Sequence, residues 1–346
     1  MQSLTLLHFI LYFLAAVIFT GLITPFAIKI AFRLRILDEP NGRKVHKYSK
    51  PRVGGLAMFS IYLLLLLTLD LSNNLNKVII IGSILITFFG FLDDLLNIRA
   101  SGKLLFQVLV AYLTASSFFG FGIRIEELKL LSDVSIHLGL LSVPFTIVWI
   151  VGVMNAINLI DGLDGLAGGI CAIAAFTMGL AALFFGQREA ALLFFILLGV
   201  ILGFLRYNFN PARLFMGDSG SLFLGYNIAV LSIVCIWNSP RVIAFTIPFL
   251  VLGIPFYDVI TSILRRLKNK QPIFSPDGNH IHHRIMNIGF THKQTVIVIY
   301  MESLFLAVAS SSIMLINNNS AVIVFIAICF LINFSGRYLK KTYKDK

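Results

Sequence analysis

The sequence predicts an all-α polytopic membrane protein, and two properties of the chain support this prediction. Of the 346 residues, 58% are hydrophobic and only 13% are charged, which is too apolar for an ordinary soluble domain. Apolar runs long enough to cross a bilayer as helices also follow one another along the whole chain,. We therefore expect residues 1–346 to form a single integral-membrane domain.

Eleven apolar runs are candidates for membrane-spanning helices. The first run has no basic segment before it and no small-residue cleavage site, so it is expected to be a span and not a signal peptide. Three runs are short, which gives a prediction of ten to eleven spans. Alternating residues between 122 and 139 predict a small β-hairpin,. The runs lie near 4–28, 53–69, 78–92, 104–121, 140–158, 166–185, 190–205, 219–237, 242–264, 294–316 and 321–336.

The positions of lysine and arginine predict the orientation of the chain. Basic residues are enriched in cytoplasmic loops of membrane proteins. One alternating set of segments holds 23 of the 28 Lys and Arg, namely 29–52, 93–103, 206–213, 265–293 and 337–346. This set is expected to be cytoplasmic, with the N-terminus outside and the C-terminus in the cytoplasm. The same distribution accounts for most of the net charge of +12, so nucleic-acid binding is not expected.

Acidic and amide residues gather at the predicted cytoplasmic ends of three spans. Capping of helix ends would explain any one of them, but it explains five aspartates on one side poorly. Carboxylate and amide oxygens are ligands suited to Mg²⁺, with Mn²⁺ as an alternative. These residues are Asp93 and Asp94 after the third run, Asn155, Asn158, Asp161 and Asp164 at the end of the fifth, and Asp218 before the eighth.

Cationic residues occupy two of the predicted cytoplasmic loops. The loop 38–55 contains Lys44 and His46 among six basic or histidine side chains. Such a charge run can simply anchor the positive-inside topology, but its turn residues favour a shaped loop. The loop 265–293 carries three histidines beside an arginine, which favours a phosphate or metal site. They are His280, His282 and His283.

Taken together, the acids and the cationic rim predict a Mg²⁺-assisted phosphoryl-transfer site. Its position at the inner surface of the membrane implies one water-soluble and one lipid-borne substrate. The site is expected to be built from five segments, near 38–55, 93–103, 155–169, 206–218 and 265–293.

Five motifs resemble, in the same order, those of the polyprenyl-phosphate N-acetylhexosamine-1-phosphate transferases. The motifs are "RKVH", "GFLDD", "NAINLIDGLDGLAGG", "FNPARLFMGDSGS" and "PDGNHIHHR", and they are more similar to the bacterial WecA and TagO branch than to MraY. The resemblance implies transfer of GlcNAc-1-phosphate from UDP-GlcNAc to undecaprenyl phosphate, with release of UMP. It also implies a bacterial cytoplasmic membrane, a first step of cell-envelope glycan synthesis, a homodimer and inhibition by tunicamycin. Gly278 departs from the arginine expected in many relatives.

The resemblance also implies a role for each site residue. Asp218 and Asn158 would hold Mg²⁺, while Asp93 and Asp94 would serve the lipid phosphate, with Asp93 as the candidate base. The remaining residues would contact substrate. Asn155, Asp161 and Asp164 would bind the donor; His280, His282 and His283 would stabilise the diphosphate or leaving UMP; Lys44, His46 and Lys103 would be further cationic contacts.

Two alternatives remain open at the level of sequence. The donor could be another UDP-N-acetylhexosamine, such as UDP-GalNAc. A protein of a different class, a secondary transporter, would place ionisable groups near the middle of the bilayer. Glu302 and Asp258 fall inside predicted spans and could belong to a proton pathway, although such groups are more often paired within the bundle.

Overall fold

The computed structural model of the protein describes residues 4–39, 49–70, 73–116, 122–131, 134–237, 246–272 and 280–313. Within these residues the chain is mostly helical. The helices are α1 Leu6–Leu34, α2 Gly54–Leu66, α3 Asn74–Leu96, α4 Ala100–Ala115, α5 Ser142–Ile160, α6 Leu166–Phe184, α7 Arg188–Asn208, α8 Gly217–Ser232, α9 Thr246–Val251, α10 Gly253–Lys268, α11 Ile281–Asn287 and α12 His292–Ile313. The strands are β1 Leu37–Asp38, β2 Lys50–Pro51, β3 Glu127–Leu131 and β4 Val134–His137.

The prediction of an all-α polytopic membrane protein is confirmed. Seven helices in the described part of the chain are long and apolar enough to cross a membrane. They are α1, α3, α6, α7, α12 and the stretches Gly139–Ile160 and Gly217–Cys235, which extend α5 and α8. α2 and α4 are apolar but shorter. The last predicted run, 321–336, lies outside the described residues, so the count of eleven stays a prediction, as does the orientation of the termini.

The ninth predicted span is not one continuous helix. In its described part, α9 ends at Val251 and α10 begins at Gly253, with Leu252 as the residue before α10. Gly253 has a low helix propensity, and Pro255 has no amide hydrogen to donate to a preceding turn. The span predicted over 242–264 therefore consists, in its described part, of two consecutive helices.

α8 lies at the centre of the fold. Every residue of this helix except Asp218 is buried, and the helix packs against α2, α3 and α5. The backbones of α2 and α8 touch, because a Cβ placed on Gly55 would lie 2.2 Å from the backbone nitrogen of Gly220. Burial of the rest of the helix leaves Asp218, in its first turn, as the side chain that α8 presents to solvent.

The hairpin predicted between 122 and 139 is confirmed as the antiparallel pair β3 and β4. It is anchored to the start of α5 by two buried hydrogen bonds. The Ile125 amide donates to Thr146 Oγ1 over 2.9 Å, and the Ser142 hydroxyl donates to the Ile125 carbonyl over 2.7 Å. The hairpin therefore lies at the opposite end of α5 from the polar residues that follow Val153.

Candidate active site

A polar cavity of about 450 Å³ opens where α5 and α7 end and α8 begins. Five of the residues proposed from the sequence line it, and they come from three separate segments of the chain. The polar lining consists of the predicted Asn158, Asp161, Asp164, Asp218 and His283, together with Asp38, Lys50, Arg52, Asn208, Asn210 and His292.

Asp218 is the carboxylate on which three helices converge. Its Oδ1 accepts a hydrogen bond from Asn158 Nδ2 over 3.0 Å, and its Oδ2 accepts one from Lys103 Nζ over 2.7 Å. Asn158 Nδ2 also donates to Ser221 Oγ over 2.9 Å. The side chain of Asp218 is 24% exposed, so it is both tightly oriented and open to a ligand in the cavity.

Lys103 joins Asp218 to a second carboxylate that is itself buried. The ammonium group contacts Asp93 Oδ2, while Asp93 Oδ1 accepts the Ile98 amide hydrogen over 2.8 Å. Asp93 is only 2% exposed and does not line the cavity. Since a buried carboxylate is costly without a partner, Lys103 offsets part of the negative charge of the two carboxylates and connects Asp93 to the cavity.

Asp94 holds the first turn of α8 in place. Its Oδ1 accepts the Asp218 amide hydrogen over 2.8 Å, and its Oδ2 accepts the Ser219 amide hydrogen over 3.1 Å. The side chain of Asp94 is fully buried, and its charge is favourable at a helix N-terminus,. In the structure Asp94 therefore positions Asp218 through the backbone, and its own oxygens do not line the cavity.

Asp161 and Asp164 face the cavity in different electrostatic settings. Burial, together with the negative charge of Asp218, raises the pKa of Asp161 to about 7, against the opposing effect of Arg52,. A bound cation would favour the charged form of such a group. Asp164 Oδ2 instead accepts hydrogen bonds from Asn210 Nδ2 at 3.1 Å and the Ala212 amide at 2.9 Å, and lies 3.6 Å from Lys50 Nζ.

The described end of the first loop is fastened to the segment before α8. The Phe215 amide donates to the Pro51 carbonyl over 2.8 Å, and the Gly54 amide donates to the Phe215 carbonyl over 3.0 Å. Arg52 Nε lies 3.3 Å from Asp38 Oδ1. This arrangement brings Lys50 and Arg52 to the cavity as cations. The predicted contacts Lys44 and His46 lie outside the described residues.

The three histidines occupy different positions on and next to α11. His283 lines the cavity, whereas His280 is buried and lies 2.8 Å from Asp258. His282 is buried as well, and burial followed by the neighbouring His283 lowers the pKa of its ring to about 3. His282 is therefore neutral at physiological pH, and of these three histidines His283 is the one placed to contact an anion in the cavity.

His282 packs directly against Gly162, which makes this glycine a sensitive position. A Cβ added at Gly162 would lie 2.4 Å from His282 Nε2. We expect Gly162→Ala to displace α11 and to lower the activity of the site roughly tenfold. The matched control is Gly152→Ala in α5, where an added Cβ meets nothing within 4 Å. Equal activities of the two variants would contradict the expectation.

Asn155 lies outside the cavity, and six polar residues that line the cavity were not proposed as site residues from the sequence. Asn155 Nδ2 donates to Gln107 Oε1 over 2.6 Å, so the side chain links α5 to α4. Asn208 Oδ1 accepts the Gly165 amide hydrogen over 3.0 Å, which joins the end of α7 to the start of α6. The "NFNPAR" stretch could have indicated Asn208 and Asn210. Nothing in the pattern around His292 distinguishes it from a surface histidine.

The donor set of the cavity fits Mg²⁺ better than a metal that requires a cage of side chains. The described residues contain no group of three or more His, Cys, Asp or Glu arranged to hold an ion. Mg²⁺ typically uses one or two carboxylates and completes its shell with water and substrate phosphates. Asp218 offers a carboxylate, and Asn158 uses its Nδ2 for both of its hydrogen bonds, so its amide oxygen is suited to a cation.

Comparison with known proteins points to one group of enzymes. The family described as "Glycosyl transferase family 4" matches residues 76–236. A probable undecaprenyl-phosphate N-acetylglucosaminyl 1-phosphate transferase of Bacillus subtilis (strain 168) is 38% identical, over 86% of this chain and 82% of the relative. A decaprenyl-phosphate N-acetylglucosaminephosphotransferase of Mycobacterium leprae is 31% identical (83% and 79%). An undecaprenyl-phosphate alpha-N-acetylglucosaminyl 1-phosphate transferase of Salmonella typhi is 26% identical (84% and 80%).

Proposed function

Because the chain belongs to the polyprenyl-phosphate N-acetylhexosamine-1-phosphate transferases, we propose that it transfers GlcNAc-1-phosphate from UDP-GlcNAc to undecaprenyl phosphate. The products are undecaprenyl-diphosphate-GlcNAc and UMP. The relatives' names support the sugar and the polyprenyl phosphate. In this proposal the reaction is the first membrane step of cell-envelope glycan synthesis.

The observation that supports this function most directly is the linked set of Asp93, Lys103 and Asp218. It lies at the ends of apolar helices, and only Asp218 and part of Lys103 reach solvent. A soluble diphosphate can enter the adjoining cavity from water, whereas a lipid phosphate can approach along the apolar helices. In this proposal the two substrates would meet at a point where one ammonium group lies between two carboxylates.

The proposed chemistry is a direct displacement at phosphorus. An oxygen of the lipid phosphate forms a bond to the β-phosphorus of UDP-GlcNAc, and the bond from that phosphorus to the oxygen bridging the α-phosphorus breaks. The electron pair leaves with UMP. No covalent enzyme intermediate is required, and a phosphate oxygen needs no base at neutral pH to act as the nucleophile.

The side chains of this chain supply orientation and charge for that displacement. Lys103 would attract the lipid phosphate, and Asp93 would hold Lys103 in position. Lys50, Arg52 and His283 line the cavity and would contact the donor diphosphate or the leaving UMP, where cations and hydrogen-bond donors stabilise developing charge. Asp161 and Asp164 would contact the nucleoside.

Mg²⁺ is the cofactor that fits this proposal, with Mn²⁺ as a substitute. Asp218 and Asn158 would hold it, for the reasons of donor chemistry given above. When bound, Mg²⁺ would offset the negative charge of the diphosphate. The distribution of Lys and Arg supports placement of the cavity on the cytoplasmic side of a bacterial cytoplasmic membrane,.

The test is an assay with the purified full chain, UDP-GlcNAc labelled in the sugar, Mg²⁺ and a short polyprenyl phosphate. We expect equal amounts of UMP and labelled lipid, with neither product formed in the presence of EDTA. Addition of unlabelled UDP-GalNAc measures the preference between donors. Uptake of the label into vesicles without UMP release would support a transporter and contradict the proposal.

A further inference from the structure

Asp258 is a buried carboxylate that the proposed chemistry does not use. It lies in the second turn of α10, is 2% exposed, and is 22 residues from its partner in sequence. Burial of a carboxylate is expensive unless its oxygens are hydrogen-bonded. The hydrogen bonds of this side chain therefore indicate its role in the structure.

Both oxygens of Asp258 bind the residues at the start of α11. Oδ2 lies 2.8 Å from His280 Nδ1, and Oδ1 accepts the Ile281 amide hydrogen over 2.8 Å. Because a carboxylate accepts hydrogen bonds, the contact favours the form of His280 that carries a hydrogen on Nδ1. One side chain of α10 thus fixes both the backbone and a ring at the entry to α11.

α11 needs such an external anchor. It has seven residues, which is too short for a helix to be stable without tertiary contacts. His280, the residue before its first turn, makes no side-chain capping bond of its own. The Asp258 carboxylate takes this role from another helix, since it accepts one of the backbone N–H groups that a helix start leaves unpaired.

The position of α11 matters because of what this helix carries. The ring of His282 stacks on that of His280, with 5.9 Å between centroids and 5° between planes, and it also packs against Gly162. His283 follows and lines the cavity. A shift of His280 would therefore be passed to His282 and then to His283.

We propose that Asp258 is a positioning residue for the donor side of the site, acting through His280 and the start of α11. The two hydrogen bonds account for the presence of a carboxylate inside the helix bundle. No proton pathway is needed to explain Asp258. For its kinetic part, this inference rests on the proposed function.

The test compares Asp258→Ala and Asp258→Asn with the control Glu302→Gln, which removes the half-buried carboxyl of α12. For Asp258→Ala we expect the donor KM to rise about tenfold, with the lipid acceptor KM unchanged. The donor KM of Asp258→Asn should rise less, because its Oδ1 can still accept the Ile281 amide hydrogen. A general loss of folded protein would lower kcat and leave both KM values alone.

A second measurement needs no substrate and so tests positioning even if the proposed reaction is wrong. Amide hydrogen exchange in residues 281–287 should become about tenfold faster in Asp258→Ala, with α5 and α8 unchanged. If Asp258→Ala does not fold, Asp258→Asn is compared with the native chain. The single variant His280→Ala and the double variant Asp258→Ala/His280→Ala are measured in the same way. Exchange in the double variant should be no faster than in the faster of the two single variants. Unchanged exchange in 281–287, or fully additive losses in the double variant, would overturn the inference.

Discussion

Replacement of Asp218 by asparagine is expected to lower kcat by about a thousandfold and to abolish stabilisation of the protein by Mg²⁺. The asparagine keeps the shape of the side chain and can still accept the hydrogen bond from Asn158 Nδ2. It loses the negative charge that pairs with Lys103 and that would hold a cation. The measurements are UMP release and the Mg²⁺-dependent shift of the melting temperature.

Asp70→Asn is the matched control for this prediction. It makes the same chemical change at a position before the start of α3, at the opposite end of that helix from Asp93. Asp70 is exposed and does not line the cavity. We expect native activity and a native Mg²⁺ response in this control. Transfer by Asp218→Asn at the rate of Asp70→Asn would show that Asp218 does not serve the reaction.

Replacement of Lys103 by methionine is expected to change activity and metal affinity in opposite directions. Loss of the ammonium group leaves Asp93 without its cationic partner and removes the proposed contact to the lipid phosphate, so kcat/KM for the acceptor should fall about a hundredfold. Lys103 Nζ and a metal ion would share Asp218 Oδ2. The apparent affinity for Mg²⁺ should therefore rise.

The two effects are measured separately, by transfer kinetics with varied acceptor and by calorimetric titration with Mg²⁺. Lys77→Met, near the start of α3, removes the same charge far from the cavity and should change neither. A weaker Mg²⁺ affinity in Lys103→Met would mean that the lysine assists the ion, and the competition expected from the 2.7 Å contact would be ruled out.

The sequence was sufficient to predict the class of fold and the gathering of acids because both depend on local signals. The length of the apolar runs predicts helices in a bilayer. The positions of Asp93, Asn158 and Asp218 relative to the run ends predict that they lie on the same side of the membrane. The break between α9 and α10 was missed, because an apolar run gives no periodicity signal that separates one helix from two.

The division of roles among neighbouring acids could not be predicted in the same way. Asp93 and Asp94 are adjacent in sequence, yet Asp93 contacts Lys103 while Asp94 accepts two amide hydrogens of α8. Which neighbour contacts Lys103 and which contacts α8 depends on the packing of α3 against α8, a contact between residues more than a hundred positions apart in sequence. The link from Asp258 to His280 was equally hidden, because only the fold brings α10 to the start of α11.

The most direct test of the account is whether one divalent ion binds at Asp218 and touches the donor phosphates. Mn²⁺ can replace Mg²⁺ as a paramagnetic probe, since both prefer oxygen ligands. We predict that electron paramagnetic resonance of the purified chain with Mn²⁺ and UDP detects one bound ion with magnetic coupling to phosphorus. The signal should be retained in Asp70→Asn and absent in Asp218→Asn. Equal Mn²⁺ binding and phosphorus coupling in both variants would contradict the account.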